Sequence, residues 1–178
     1  MFMLRQKVAI VFTILCVCLG SASAIAKTRM IEVKLLDMEA KKLTERTGDE
    51  LYFTITEYPS KGNPKILRIP MFPLHWLSRD LNNVHNVLLW QGEIEDDSSV
   101  LLILSLLEQD LPLLGVDDHL GSAQVKIVNH KGKLTTTWGK PNFIDQPKVE
   151  QTGSNAPDYL LFGDNGEYVV KFKINVIE

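Results

Sequence analysis

The stretch that decides the reading of this chain is Leu101-Leu102-Ile103-Leu104-Ser105-Leu106-Leu107-Glu108-Gln109-Asp110-Leu111-Pro112-Leu113-Leu114-Gly115-Val116-Asp117-Asp118-His119-Leu120-Gly121. It opens with an apolar run of strand length. Four carboxylates, Glu108, Asp110, Asp117 and Asp118, then flank an apolar loop tip. The following segment, Ser122 to Val128, again reads as a strand. Carboxylates gathered at one end of a β-structure repel one another unless a cation joins them. Calcium suits an all-oxygen set.

Outward from this loop the period-two pattern dominates. Met30 to Met38 alternates through Ile31, Val33 and Leu35, and Asp49 to Tyr58 through Leu51, Phe53 and Ile55. Ile66 to Ile69 is a short run closed by Pro70. Val87 to Ile94 and Ser99 to Glu108 flank the turn-like Glu95-Asp96-Asp97-Ser98, and read as a hairpin. Ser122 to Val128 and Lys133 to Trp138 flank Asn129-His130-Lys131-Gly132, a second hairpin. Glu167 to Ile177 alternates to the end, with Tyr159 to Phe162 as a possible partner strand. The expectation is an all-β, antiparallel, eight-stranded sandwich. Met71 to Asn86 departs from the pattern and has room for a short helix. Lys140 to Pro157, rich in Pro, Gly, Asn and Gln, reads as a long loop.

The first residues read as an export signal. Arg5 and Lys7 precede an apolar run, Val8 to Leu19, which is short for a bilayer span. Ala22-Ser23-Ala24 and Ala24-Ile25-Ala26 offer cleavage after Ala24 or Ala26. Residues 1–26 are therefore expected to be a signal peptide and 27–178 a single domain. An uncleaved anchor is the alternative. A lipoprotein is disfavoured, because Leu15 and Val17 precede Cys16 and Cys18 where a small residue is needed. Both cysteines leave with the signal, so the mature domain rests on its core without a disulfide. Such a chain fits a bacterial periplasmic or secreted protein. Cleavage removes two of 19 basic residues and none of 22 acidic ones, which leaves a net charge of about −5. That disfavours nucleic acid as the partner.

The segment Val87 to Val128 resembles a C2 domain, a calcium- and membrane-binding β-sandwich family. The family's pattern is an apolar strand, Asp-x-Asp, a short loop, then Asp-x-Ile-Gly leading into the next strand. Asp110, Asp118 and Gly121 fit that order, and Leu120 takes the apolar position. Asp49-Glu50-Leu51-Tyr52 resembles the family's Asp-Pro-Tyr strand entry, with Asp37 in a first loop. The chain departs from the pattern at Glu108, which replaces the first Asp of the pair. The Asp110–Asp118 and Asp37–Asp49 loops are also longer than usual. The resemblance implies a calcium set drawn from Asp37, Asp49, Glu108, Asp110 and Asp118, with Asp117 in reserve. Asp49 has a second reading as a brace at the head of its strand.

Leu111, Leu113, Leu114 and Val116 form the apolar tip, which either meets a membrane or protein partner or folds back on the sandwich. Met71-Phe72-Pro73-Leu74-His75-Trp76-Leu77 is either a recognition patch or a cover for one side of the core. His75, His85, His119 and His130 show no metal-ligand spacing. His119 beside Asp118 suggests a pH-sensitive loop. There is no Gly-x-Ser-x-Gly, no His-Glu-x-x-His and no phosphate-cradling glycine loop. The expectation is thus a non-enzymatic binding module, with calcium as its cofactor. The alternatives are a metal-independent subunit of an envelope or secretion assembly and, less favoured, a hydrolase.

Overall fold

A computed structural model describes residues 28–110, 116–141, 149–152, 158–162 and 166–177. The expected signal peptide, its cleavage sites, and Leu111, Leu113 and Leu114 of the tip lie outside the described residues. The chain forms β1 (Arg29–Lys42), β2 (Glu50–Pro59), β3 (Lys65–Ile69), β4 (Trp76–Leu77), β5 (Val87–Ile94), β6 (Ser98–Glu108), β7 (Asp118–His130), β8 (Lys133–Gly139), β9 (Val149–Thr152), β10 (Asp158–Phe162) and β11 (Glu167–Ile177). A 3-10 helix, Ser78–Asn83, supplies the expected short helix before β5. Among the described residues eleven strands stand where eight were expected. Two of the additions are short: β4 falls in the segment read as helical, and β9 in the one read as loop.

The strands form two antiparallel sheets. One runs β5-β1-β11-β10-β9, and the other β3-β2-β6-β7-β8 with β4 also paired to β2. The all-β, two-sheet expectation holds. One apolar core joins them: Ile31, Val33, Leu35 and Phe172 from the first sheet meet Phe53, Leu102, Leu104 and Val125 from the second, all fully buried. Burial of each such side chain stabilises the fold by roughly 1.5–3 kcal/mol. Phe172 packs edge-on to Phe53 and stacks on Trp138, so aromatic contacts cross between the layers.

The β7–β8 hairpin forms as expected. His130 pairs with Lys133, and the two residues between them, Lys131 and Gly132, both take positive φ. That is the backbone demanded by a type I′ turn. The other expected hairpin is not one. β5 hydrogen-bonds to β1 in the first sheet, whereas β6 lies between β2 and β7 in the second. Glu95 to Asp97 therefore carries the chain across the sandwich. A polar turn with Asp97 at positive φ serves either purpose, which is why the local signal misleads.

Candidate metal centre at the β1–β2 rim

Asp49 organises this end of the sandwich. Its fully buried carboxylate accepts the backbone N–H groups of Thr44 and Glu45 at 2.9 and 2.8 Å, closing the β1–β2 turn. It also accepts a short hydrogen bond from the Tyr168 hydroxyl on β11. Its own N–H is 2.8 Å from Ser78 Oγ. These bonds satisfy the charge without a metal. They support the reading of Asp49 as a strand-head brace.

The closed turn holds Glu45 near the end of β6. Glu45, Glu108 and Asp110 each offer a carboxylate oxygen, and these three oxygens lie within 4.8 Å of one another. Calcium–oxygen bonds are about 2.3–2.6 Å long. One ion can therefore touch all three. Glu108 is the buried member, at 3% exposure. Burial, then the charges of Asp110, Glu45 and Asp49, push its carboxyl up to about 7, with the Glu50 backbone N–H opposing. Near neutrality this carboxyl is therefore divided between its neutral and charged forms.

The other expected ligands stand differently. Asp37 does not lie in a loop, because β1 continues past it to Lys42. A bulge between Leu35 and Asp37 switches the strand's phase, so that Met38 is buried and Asp37 is exposed. Asp37 lies opposite Lys171, its Oδ2 3.8 Å from Nζ. Asp118 opens β7 in register with Glu108. Neither belongs to the grouped oxygens; Glu108 and Asp110 do. The sequence reading missed Glu45. Its place depends on the turn that Asp49 closes, and no local motif announces it.

Asp117 stitches the stem of the connection between β6 and β7. It accepts the Tyr52 hydroxyl at 2.5 Å and the Asp110 N–H at 3.2 Å. Above this stem Val116, the described residue of the apolar tip, is 88% exposed. The aromatic segment divides between its two readings. Trp76 packs against the core, while Met71, Phe72 and Leu74 face solvent. A concavity of about 210 Å³ opens at the far end of β2 between Glu57, Lys61, Trp90 and Glu95. There Trp90 Nε1 donates to Glu57 at 3.0 Å and Lys61 pairs with Glu95 at 3.6 Å.

On the outer face of the second sheet Ser105 Oγ, Ser122 Oγ and His119 Nε2 form a chain of 2.7 and 2.8 Å contacts. Burial lowers the His119 pKa, so the neutral ring dominates there. Among the described residues, no helix is long and apolar enough to cross a membrane. No family model matches the chain, and no curated protein matches it significantly.

Proposed function

We propose that this chain is an exported, non-catalytic binding module of C2-like type. In this reading calcium joins Glu45, Glu108 and Asp110 and steadies the loop whose tip meets a membrane surface or a protein partner. The observation that carries the reading is the triad itself: three carboxylate oxygens within one ion's reach, one of them on a buried glutamate. Two unit charges 4 Å apart repel by about 4 kcal/mol at an effective dielectric of 20. A divalent cation reverses that sign. Calcium is favoured over magnesium because it accepts irregular oxygen sets and leaves sites for backbone oxygens or water. Asp110 links the ion to the tip, since its N–H is bonded to Asp117 at the foot of Val116. Export rests on Arg5, Lys7 and the apolar run that follows. The non-catalytic reading draws support from Ser122. It is the hydroxyl bonded to His119, yet it is fully buried and out of a substrate's reach.

A thermal melt with and without calcium tests this. At tenfold excess over the dissociation constant, calcium adds about 1.4 kcal/mol. A domain of this size then melts roughly 3–6 °C higher. Asp110→Asn should abolish the shift, whereas Asp37→Asn should leave it intact. No shift at several millimolar calcium, the range of extracellular modules, removes the metal. The reading would then pass to a metal-independent interaction subunit of an envelope or secretion assembly, which the solvent-facing Met71, Phe72 and Leu74 favour.

A further inference from the structure

We propose that the edge formed by β3 and the β3–β4 loop docks an extended, acidic peptide segment of a partner protein by strand addition. This is a surface separate from the carboxylate triad, and it needs no metal. On one side β3 pairs with β2, from Lys65 opposite Glu57 to Ile69 opposite Phe53. Among the described residues no strand pairs its other side. That side offers backbone N–H and C=O groups to an incoming strand.

The side chains along this edge are unusual. β4 pairs with β2 just beyond β3, so the loop between them lies on the same edge. Ile66, Leu67, Met71, Phe72 and Leu74, five large apolar residues within nine positions, are between 42% and 77% exposed. The opposite edge of the same sheet is polar, with Lys133, Thr135, Thr136 and Thr137 on β8. Natural sheets guard their edges with polar or charged side chains, and a concentrated apolar patch marks a contact surface. The surface is also braced in advance. The Arg68 guanidinium lies 3.5 Å over the Tyr52 ring and 5.5 Å from the Phe72 centroid, and it donates to Gln109 Oε1 and to the Leu74 carbonyl. Preorganisation of this kind reduces the ordering cost of binding.

Charge selects the occupant. Along the edge itself, from Lys65 to His75, there is no Asp or Glu, and the charged side chains are the cations Lys65 and Arg68, in a chain whose net charge is −3; Lys61 and Arg79 on either side are paired with Glu95 and Asp80. A second copy of the same edge would bring like charges together. A bilayer would leave the edge's backbone groups without partners. An extended peptide of about five residues, apolar at alternate positions and carrying Asp or Glu between them, satisfies the backbone, the apolar side chains and the charge at once.

The test uses the full chain in EDTA, so that loss of the calcium reading does not touch it. Random twelve-residue peptides are displayed and selected against the protein. Selection should enrich acidic sequences with alternating apolar residues. Binding of the enriched peptides should weaken about tenfold or more in Ile66→Asp and in Phe72→Asp. It should be unchanged in Thr136→Asp on the β8 edge. Both target side chains face solvent, so the variants should melt as the parent does. The β3 amides should gain protection from hydrogen exchange when the peptide binds. The proposal is overturned by the absence of enriched peptides, by enrichment of basic ones, or by binding that ignores the two variants. It is overturned equally if Ile66 and Phe72 mediate flotation with phosphatidylserine vesicles, or a concentration-dependent dimer, in place of peptide binding.

Discussion

The Tyr168 hydroxyl donates to the Asp49 carboxylate across the sandwich, tying β11 of one sheet to the head of β2 in the other. Both residues are fully buried. Burial, with the Asp49 carboxylate next, holds the phenol well above its ordinary pKa, so it remains a donor at every physiological pH. Tyr168→Phe removes that donor and leaves a buried charge on two backbone N–H groups. The expected loss is about 1–3 kcal/mol in urea unfolding. A change below about 0.5 kcal/mol would show that the Asp49 carboxylate does not depend on the tyrosine. The same variant loosens the turn that positions Glu45, so calcium affinity should fall with stability.

Glu108 gives the metal-free protein a pH dependence with a definite sign. Its ordinary pKa of 4.5 rises to about 7 in the fold. Below pH 4.5 folded and unfolded chains both hold the proton, and the contribution is complete. Between 4.5 and 7 the folded state binds more protons than the unfolded one, so stability falls as pH rises. The loss through this residue is on the order of 3 kcal/mol at most. Glu108→Gln, which stays neutral, should flatten this part of the profile and raise the melting temperature at pH 8 in EDTA. The test is a set of melts from pH 4 to 8 for parent and variant. A parent whose stability rises across that window, with the variant following it, would contradict the assignment. Calcium should counteract the destabilisation above pH 7, because it takes the place of the proton.

How much of this was legible in the sequence depends on how far each signal reaches along the chain. β1 and β11 show their alternation because one face is buried and the other wet. The run Leu101 to Leu107 hides its period. Leu102, Leu104 and Leu106 enter the core, while Leu101, Ile103 and Leu107 fall on the opposite face of the central strand β6, yet all six are apolar. The hairpin at Lys131-Gly132 could be read because Gly132 accepts the positive φ that a two-residue turn demands, in a polar break between two strand-like runs. The bulge at Asp37 could not be read, since it follows from pairing with Lys171, more than a hundred residues away. Glu45 was missed for the same reason. Its neighbourhood is set by Asp49, and Asp49 is set by Tyr168. The exposure of Met71, Phe72 and Leu74 also turns on tertiary packing, which gave the core to Trp76.

Arg68 braces the β3 edge through its planar group. Its guanidinium covers the Tyr52 ring, reaches toward Phe72 and bonds Gln109 just after β6. Arg68→Lys keeps the charge but loses the flat, forked geometry. The expected cost is about 1 kcal/mol in urea unfolding, with faster exchange of the Leu74 N–H, whose bond to the Met71 carbonyl closes the turn that Arg68 holds through the Leu74 carbonyl. Arg68→Ala should cost more, because it also uncovers Tyr52. If lysine proves equivalent to arginine, the contribution is charge alone and the stacked geometry does not matter.

Gly92 tests the second link between the sheets. Trp90 lies on β5 and donates its indole N–H to Glu57 on β2. Its ring folds along its own strand over Gly92, so that a Cβ there would lie 2.4 Å from the ring's Cζ2. At that distance the ring itself must shift, and Trp90 is buried, at 4% exposure. Gly92→Ala should therefore displace the indole and break its bond to Glu57. The expected destabilisation is about 1–3 kcal/mol, typical of overpacking against a rigid side chain. Tryptophan emission should shift to longer wavelength as the ring becomes wetter. Glu57→Leu in the parent should remove the acceptor without displacing the ring, and so lower stability with little spectral change. An alanine variant that melts as the parent does, with unchanged emission, would mean that the ring has room to move and that the Trp90–Glu57 bond does not lock the two sheets together.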